Sequence, residues 1–295
     1  MAHIQNKSLL GIAILIAAML VFPFLDVVAK MLGNQGVSVI EIVWARLFFG
    51  MLITAPILIS QEGLVALRPR EPKLNALRGA FIVGSTMMFF GALRFQGVAE
   101  TLSIYFVQPL VITMMAPFFL GEHVGVRRWM AVLVGFIGVL IIIRPGFQAL
   151  NPGMFLAFGA GVGSGVSLLL SRKLAAGGSP LANTFYTGLF GSLFASVAVI
   201  FVWQTPDLHH LLMFILLACI GTIGNYLTIK ACQYAEVSLL APFGYTEMIN
   251  ATLGGWYFFG DFPDFWTFVG VGILVACAIY ISNHERVHLM EIEKP

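Results

Sequence analysis

The sequence predicts an all-α integral membrane protein, with ten transmembrane helices arranged as two inverted-topology repeats of five. Three observations carry this expectation. Hydrophobic residues make up 59% of the 295 and charged residues only 10%, against roughly 25% charged in soluble domains, so polar surface for a soluble fold is lacking. Apolar runs long enough to span a bilayer recur along the whole chain; a span needs about 20 residues. Basic residues fall almost entirely on one side once those runs are threaded through a membrane.

The runs cover 8–31, 39–60, 75–95, 101–120, 127–144, 152–171, 183–203, 210–230, 238–259 and 264–283. The first follows Lys7 and is longer than a signal-peptide core of about 7–15 residues. It also lacks a small-x-small cleavage site, so it reads as an uncleaved first helix. Turn chemistry marks the breaks: Gly33-Asn34-Gln35-Gly36, Arg68-Pro69-Arg70-Glu71-Pro72, Arg144-Pro145-Gly146, Gly177-Gly178-Ser179-Pro180 and Asp261-Phe262-Pro263-Asp264. A β-barrel would show short alternating segments instead. Pro23, Pro109, Pro117 and Pro242 stand inside runs, where they can kink a helix and free carbonyls.

With the N-terminus in the cytoplasm, twelve basic residues face inward: Lys7, Arg68, Arg70, Lys73, Arg78, Arg127, Arg128, Arg172, Lys173, Lys230, Arg286 and Lys294. Only Arg94 and Arg144 face outward, and Lys30 and Arg46 fall within spans. This bias predicts an inner-membrane, multi-pass protein with both termini cytoplasmic, and an even number of spans.

The halves echo each other, giving expected repeats at 1–148 and 149–295. Val98-Ala99-Glu100 precedes a run ending in Gly121-Glu122, and Tyr234-Ala235-Glu236 precedes one ending in Gly260-Asp261. The marks are 22 and 25 residues apart, so the register is imperfect. Counting back 14 from each terminal acid pairs Gln108 with Glu247, and counting back 16 pairs Phe106 with Tyr245. Five helices per half invert the second copy, a plan common in transporters, whose sites lie near the midplane between repeats.

These marks make the chain resemble the EamA-type, ten-helix branch of the drug/metabolite transporter superfamily. The resemblance rests on Trp44-Ala45-Arg46, Tyr105-Phe106-Val107-Gln108-Pro109, Leu120-Gly121-Glu122, Gly135-Phe136-Ile137-Gly138-Val139, Ile143-Arg144-Pro145-Gly146, Tyr245-Thr246-Glu247-Met248 and Phe259-Gly260-Asp261. Met248 departs from the family pattern, which usually has a proline in the ninth helix, so a kink there lacks its usual cause. The resemblance implies a secondary carrier of a small organic solute such as an amino acid, vitamin or related metabolite, working by alternating access. Asp26…Lys30 and Tyr245-Thr246-Glu247 are similar to branches carrying riboflavin or S-adenosylmethionine, and a riboflavin-type importer is an alternative. A polytopic enzyme, a channel or a scaffold are the others. Against an enzyme, G-x-S-x-G and paired membrane aspartates are lacking. Against a channel, the membrane charges are mixed in sign.

Charges in the hydrocarbon are costly, roughly 2.5–3.5 kcal/mol each on insertion scales. Asp26, Lys30, Arg46 and Glu247 bear that cost. Asp26 and Lys30 are four apart on one helix face, either an internal ion pair or a charged rim of a solute path. Arg46 can pair with Asp26 or hold an anionic group; Glu41, at the start of the same helix, reads as interfacial. Glu247 is the sharpest candidate for proton coupling or cation binding. Gln108, its counterpart, offers an uncharged amide. Trp44, Tyr105, Phe106, Tyr226, Tyr245 and Trp256 could stack on a planar solute. Asn225 and Asn250 are polar positions for solute or interhelical bonds. The candidate substrate-binding set is therefore Gln108, Glu247, Tyr105, Trp44, Arg46, Tyr245, Asn225, Tyr226 and Asn250, with Asp26, Lys30 and Glu247 for coupling or ion pairing.

The sequence offers no Walker-type nucleotide loop. Cys219, Cys232 and Cys277 form no C-x-x-C pair, and His209-His210, placed in an outer loop, cannot share a helix face, so no cofactor or metal is expected. The net charge of +2 leaves no footprint for nucleic acid. The expected partners are the solute and the lipid bilayer. A monomer is the expected state, with a homodimer through the Gly161–Gly165 face as the alternative to packing within the chain.

Overall fold

The computed structural model describes residues 2–120, 125–143, 151–175, 179–235, 240 and 243–292. Glu122, Arg144-Pro145-Gly146, Gly177-Gly178, Glu236 and Pro242 lie outside them. The described residues form α1 (Ala2–Asn34), α2 (Val39–Glu62), a 3₁₀ turn at Leu64–Leu67, α3 (Pro72–Ala92), α4 (Val98–Tyr105), α5 (Gln108–Leu120) and α6 (Val126–Ile143). They continue with α7 (Pro152–Ala175), α8 (Pro180–Val199), α9 (Leu208–Tyr234), α10 (Glu247–Phe259) and α11 (Phe265–Ile292). Ser8–Asn34, Val39–Glu62, Val98–Met115, Pro152–Ser171 and Leu208–Tyr234 are long and apolar enough to cross a membrane, and Trp129–Ile143 and Phe265–Cys277 are shorter apolar helices.

Local chemistry sets the helix ends. Pro72 opens α3 where its missing N–H is not needed. Ser179 Oγ accepts from Ala182 N at 3.0 Å ahead of Pro180. Asp207 Oδ1 accepts from His210 N at 2.8 Å, and that N–H holds the exposed carboxyl below its usual range. His209 and His210 thus lie in the first turn of α9 rather than in the loop expected for them. Gly260 ends α10 in the left-handed conformation, with φ of 73°.

The fourth and ninth runs, each holding a proline able to kink it, are interrupted. The first breaks at Phe106–Val107, between α4 and α5. Pro109, second residue of α5, has no N–H to return to the Tyr105 carbonyl. The second breaks at Tyr245–Thr246, ahead of α10. No proline is needed there: Thr246 Oγ1 donates to the Phe243 carbonyl at 2.7 Å. Thr246 N also donates to that carbonyl, at 3.2 Å, so the chain turns tightly. Helix α10 then restarts with short bonds from Met248 N to Tyr245 O (3.1 Å) and from Ile249 N to Thr246 O (3.2 Å).

Packing follows an exchange of halves. Helix α1 packs on α9 as α3 packs on α7, α2 on α9 as α3 on α8, and α5 on α7 as α1 on α10. Like packs on like at α2–α8 and α6–α11. Each of these contacts maps onto another, or onto itself, when α1–α6 are exchanged for the five spans ending in α11, as a two-fold axis requires. Large apolar side chains such as Leu133, Ile137 and Leu140 of α6 are exposed on the outer face, as lipid-facing positions must be.

Two charged residues near helix ends are buried. Arg78, counted among the inward-facing charges, is 2% exposed between α3, α7 and α8. It donates to the Asn183 carbonyl and to Thr187 Oγ1, both at 2.7 Å. Glu41, expected at the interface, is 1% exposed and accepts from the Gln204 backbone beside His210.

Candidate functional site: a charged cluster at two helix breaks

The two interruptions meet in the middle of the bundle. Phe106 and Tyr245 pack edge to face, with ring centroids 4.6 Å apart. One residue past each turn, Gln108 opens α5 and Glu247 opens α10. Short helix segments of this kind, in corresponding places of two repeats, mark the solute site in transporters.

Four elements bring ionisable groups to that point. Asp26 of α1 interacts electrostatically with Arg46 of α2 and with Glu247 of α10, and Tyr105 of α4 interacts with all three. Asp26 is buried, while Arg46, Tyr105, Gln108 and Glu247 keep accessible surface, although the chain neighbours Ala45, Leu47, Ile104 and Phe106 are buried. Tyr105 donates to Ser164 Oγ of α7 at 2.6 Å. Its ring meets Phe89 edge to face at 5.1 Å. The Arg46 guanidinium lies 5.9 Å from the Phe90 ring centroid, a cation–π approach.

The backbone of the first break is seated on α7. A Cβ at Gly161 would lie 2.5 Å from the Tyr105 carbonyl oxygen, and one at Gly165 would lie 3.2 Å from that of Gln108. The G-x-x-x-G pair therefore packs within the chain, bringing Ser164, between its glycines, to the Tyr105 hydroxyl.

The expected Asp26–Lys30 pair is not made. Lys30 Nζ instead reaches Asp261 Oδ2 at 2.6 Å and the Gln96 carbonyl at 3.1 Å, over the Phe259 ring at 4.9 Å. One turn beyond Asp26, its long stem carries the ammonium toward the half-exposed loop after α10. Asp26 is left to Arg46. The Lys30–Asp261 pair joins the first half of the chain to the second.

Of the remaining nominated residues, Trp44 donates to Ser196 Oγ at 2.9 Å and stacks on Phe48 at 4.6 Å, in the α2–α8 seam. Tyr226 packs with Phe185 and Tyr186 and lies under Lys230 at 5.5 Å. Asn225 Nδ2 donates to Thr184 Oγ1 at 3.3 Å, and Asn250 Nδ2 to the Leu20 carbonyl at 3.0 Å, three residues before Pro23. These four make contacts between helices. The structure adds Phe89, Phe90 and Ser164, whose only sequence signal was the small-residue setting of Ser164.

Chemically, the cluster offers two carboxyls, one guanidinium and one phenol amid aromatic rings. With both acids ionised it carries one net negative charge, and the like charges of Asp26 and Glu247 repel. A proton or a cationic group relieves that repulsion.

Comparison with known proteins places this geometry in context. An S-adenosylmethionine uptake transporter of Rickettsia bellii (strain RML369-C) is 27% identical over 262 residues, 88% of this chain and 89% of the relative. A riboflavin transporter of Vibrio cholerae serotype O1 is 25% identical over 285 residues, 96% of each. A solved structure sharing 20% identity aligns over 92% of this chain and 96% of its own, with a TM-score of 0.66, and so shares the fold. Residues 9–144 and 151–283 each match the EamA-like transporter family. A multi-pass, ten-helix transporter of a small solute, the chain belongs to the EamA-like transporter family.

Proposed function

We propose that the protein carries a compact zwitterion bearing an additional positive charge, of the kind S-adenosylmethionine represents, through the Asp26–Arg46–Tyr105–Glu247 cluster by alternating access. The observation that carries this reading is the cluster's charge balance. One guanidinium suits one carboxylate, two carboxyls suit two cationic centres, and Phe89, Phe90 and Tyr105 supply ring surface for a planar group. The relatives named for S-adenosylmethionine uptake point the same way.

Riboflavin is the second reading, favoured by the relatives named for it and by the same aromatic surface. It leaves the charges without counterparts. Labelled S-adenosylmethionine and labelled riboflavin, offered to proteoliposomes of the purified protein, separate the two. Saturable counterflow of the first is expected; counterflow of riboflavin alone would overturn the charge argument.

The repeats are proposed to divide at 1–148 and 149–295. The protein is proposed to lie in the inner membrane as a monomer with both termini cytoplasmic, on the strength of its loop charges. The end bearing Asp261 then faces outward, and the Lys30–Asp261 pair closes it. Glu247 is proposed to exchange a proton during the cycle. Single cysteines at 35 and at 64, probed with an impermeant maleimide on intact cells, test the orientation. Only the first should react.

A further inference from the structure

We propose that Gly221 is a positioning residue for Arg46: by having no side chain, it makes the slot that aims the guanidinium at the solute. The proposal rests on the reading of Arg46 as the anchor for a solute carboxylate. Gly221 lies buried in α9, against both α1 and α2. A Cβ there would stand 2.9 Å from Arg46 Nε, 3.6 Å from Arg46 Cγ and 2.8 Å from Leu25 Cδ1. On another side, Arg46 Cζ lies 5.9 Å from the Phe90 ring centroid. The arginine thus runs between a bare stretch of α9 and an aromatic ring, with Asp26 supplying the opposite charge.

The two tight contacts of that Cβ are with the far parts of flexible side chains, not with backbone. A methyl at 221 therefore leaves the helix crossing in place and turns Arg46 out of its slot. The neighbouring position makes the contrast. A Cβ at Gly224 would meet the Phe22 ring at 2.8 Å, so that glycine serves packing between α9 and α1. Gly221 differs because what it admits is a charged member of the central cluster. A guanidinium holds a carboxylate through two parallel hydrogen bonds, and small rotations lose one of them.

The test uses Gly221→Ala in the full-length protein. Its thermal midpoint should stay within a few degrees of the parent. KM for S-adenosylmethionine should rise about ten-fold with little change in kcat, while transport of the decarboxylated analogue should not change. Adding Gly221→Ala to Arg46→Gln should have no further effect. Independently of any solute, labelling of Arg46 by phenylglyoxal, read by mass spectrometry, should speed up several-fold in Gly221→Ala. Unchanged labelling, equal losses for both solutes with a lowered thermal midpoint, or full rescue by Leu25→Ala would overturn the proposal. If Arg46→Gln itself treats the two solutes alike, the anchor reading fails, while altered labelling would still assign Gly221 its effect on Arg46.

Discussion

Phe106 and Tyr245 touch edge to face, and each stands in the two-residue turn that interrupts one span of its own half of the chain. Equivalent residues can meet in this way only close to the axis that relates them. The contact therefore locates the junction of the two halves, with Gln108 and Glu247 two residues further along each chain segment. It also leaves the Tyr245 hydroxyl buried with no hydrogen-bond partner among the described residues.

That hydroxyl gives the first prediction. Leaving a polar group buried and unbonded costs about 1–3 kcal/mol. Tyr245→Phe should therefore keep or raise the thermal midpoint of the solute-free protein. If the hydroxyl serves the solute, the same variant raises KM. A lowered midpoint in detergent would show that the hydroxyl has a structural partner.

The Lys30–Asp261 pair is half-exposed on the aspartate side, so its own worth is small, about 1 kcal/mol or less after solvent screening. Its effect should appear in gating. Lys30→Ala and Asp261→Ala should each raise the reactivity of a cysteine placed near the central cluster toward an impermeant maleimide added from outside. The double variant should do little more than either single one. Additive effects would mean that the two residues act separately.

Glu247→Gln should abolish uptake driven by a pH gradient and leave counterflow largely intact. The amide keeps the size and hydrogen-bonding capacity of the side chain but cannot exchange a proton. Transport assays with an imposed gradient, and with solute preloaded, measure the two modes. Unchanged gradient-driven uptake would remove Glu247 from coupling.

Gly161→Ala would set a methyl 2.5 Å from the Tyr105 carbonyl oxygen, a backbone atom that cannot swing away. A cost of roughly 1–3 kcal/mol is expected, as for other overpacked sites. Gly84→Ala is the control: nothing lies within 4 Å of its Cβ, and alanine favours the helix by up to about 1 kcal/mol. Thermal unfolding in detergent should separate the two variants by sign.

Much of the architecture was legible because membrane spans are written as local runs. The pairing of Gln108 with Glu247 was also legible, since both stand 14 residues before an acid that ends their run. The partner of Lys30 was not. Asp261 lies 231 residues away, and the nearer Asp26 satisfied the only rule a single helix can offer. Trp44 and Tyr226 show the same limit from the other side. An aromatic ring near a charge in sequence carries no record of which seam it will enter. The break at Tyr245–Thr246 was hidden because a threonine hydroxyl, in place of a proline, satisfies the turn. Gly221 was silent, since its role is the space that it leaves.

A machine whose halves mirror each other has no intrinsic head or tail, and its cargo could lie in it either way round. At the station where the halves meet, one copy carries an amide and the other an acid, a change of a single NH₂ for an oxygen. With the solute held at this cluster as proposed, that substitution gives the carrier a polarity of its own, so that a cargo with distinct ends is held in one orientation.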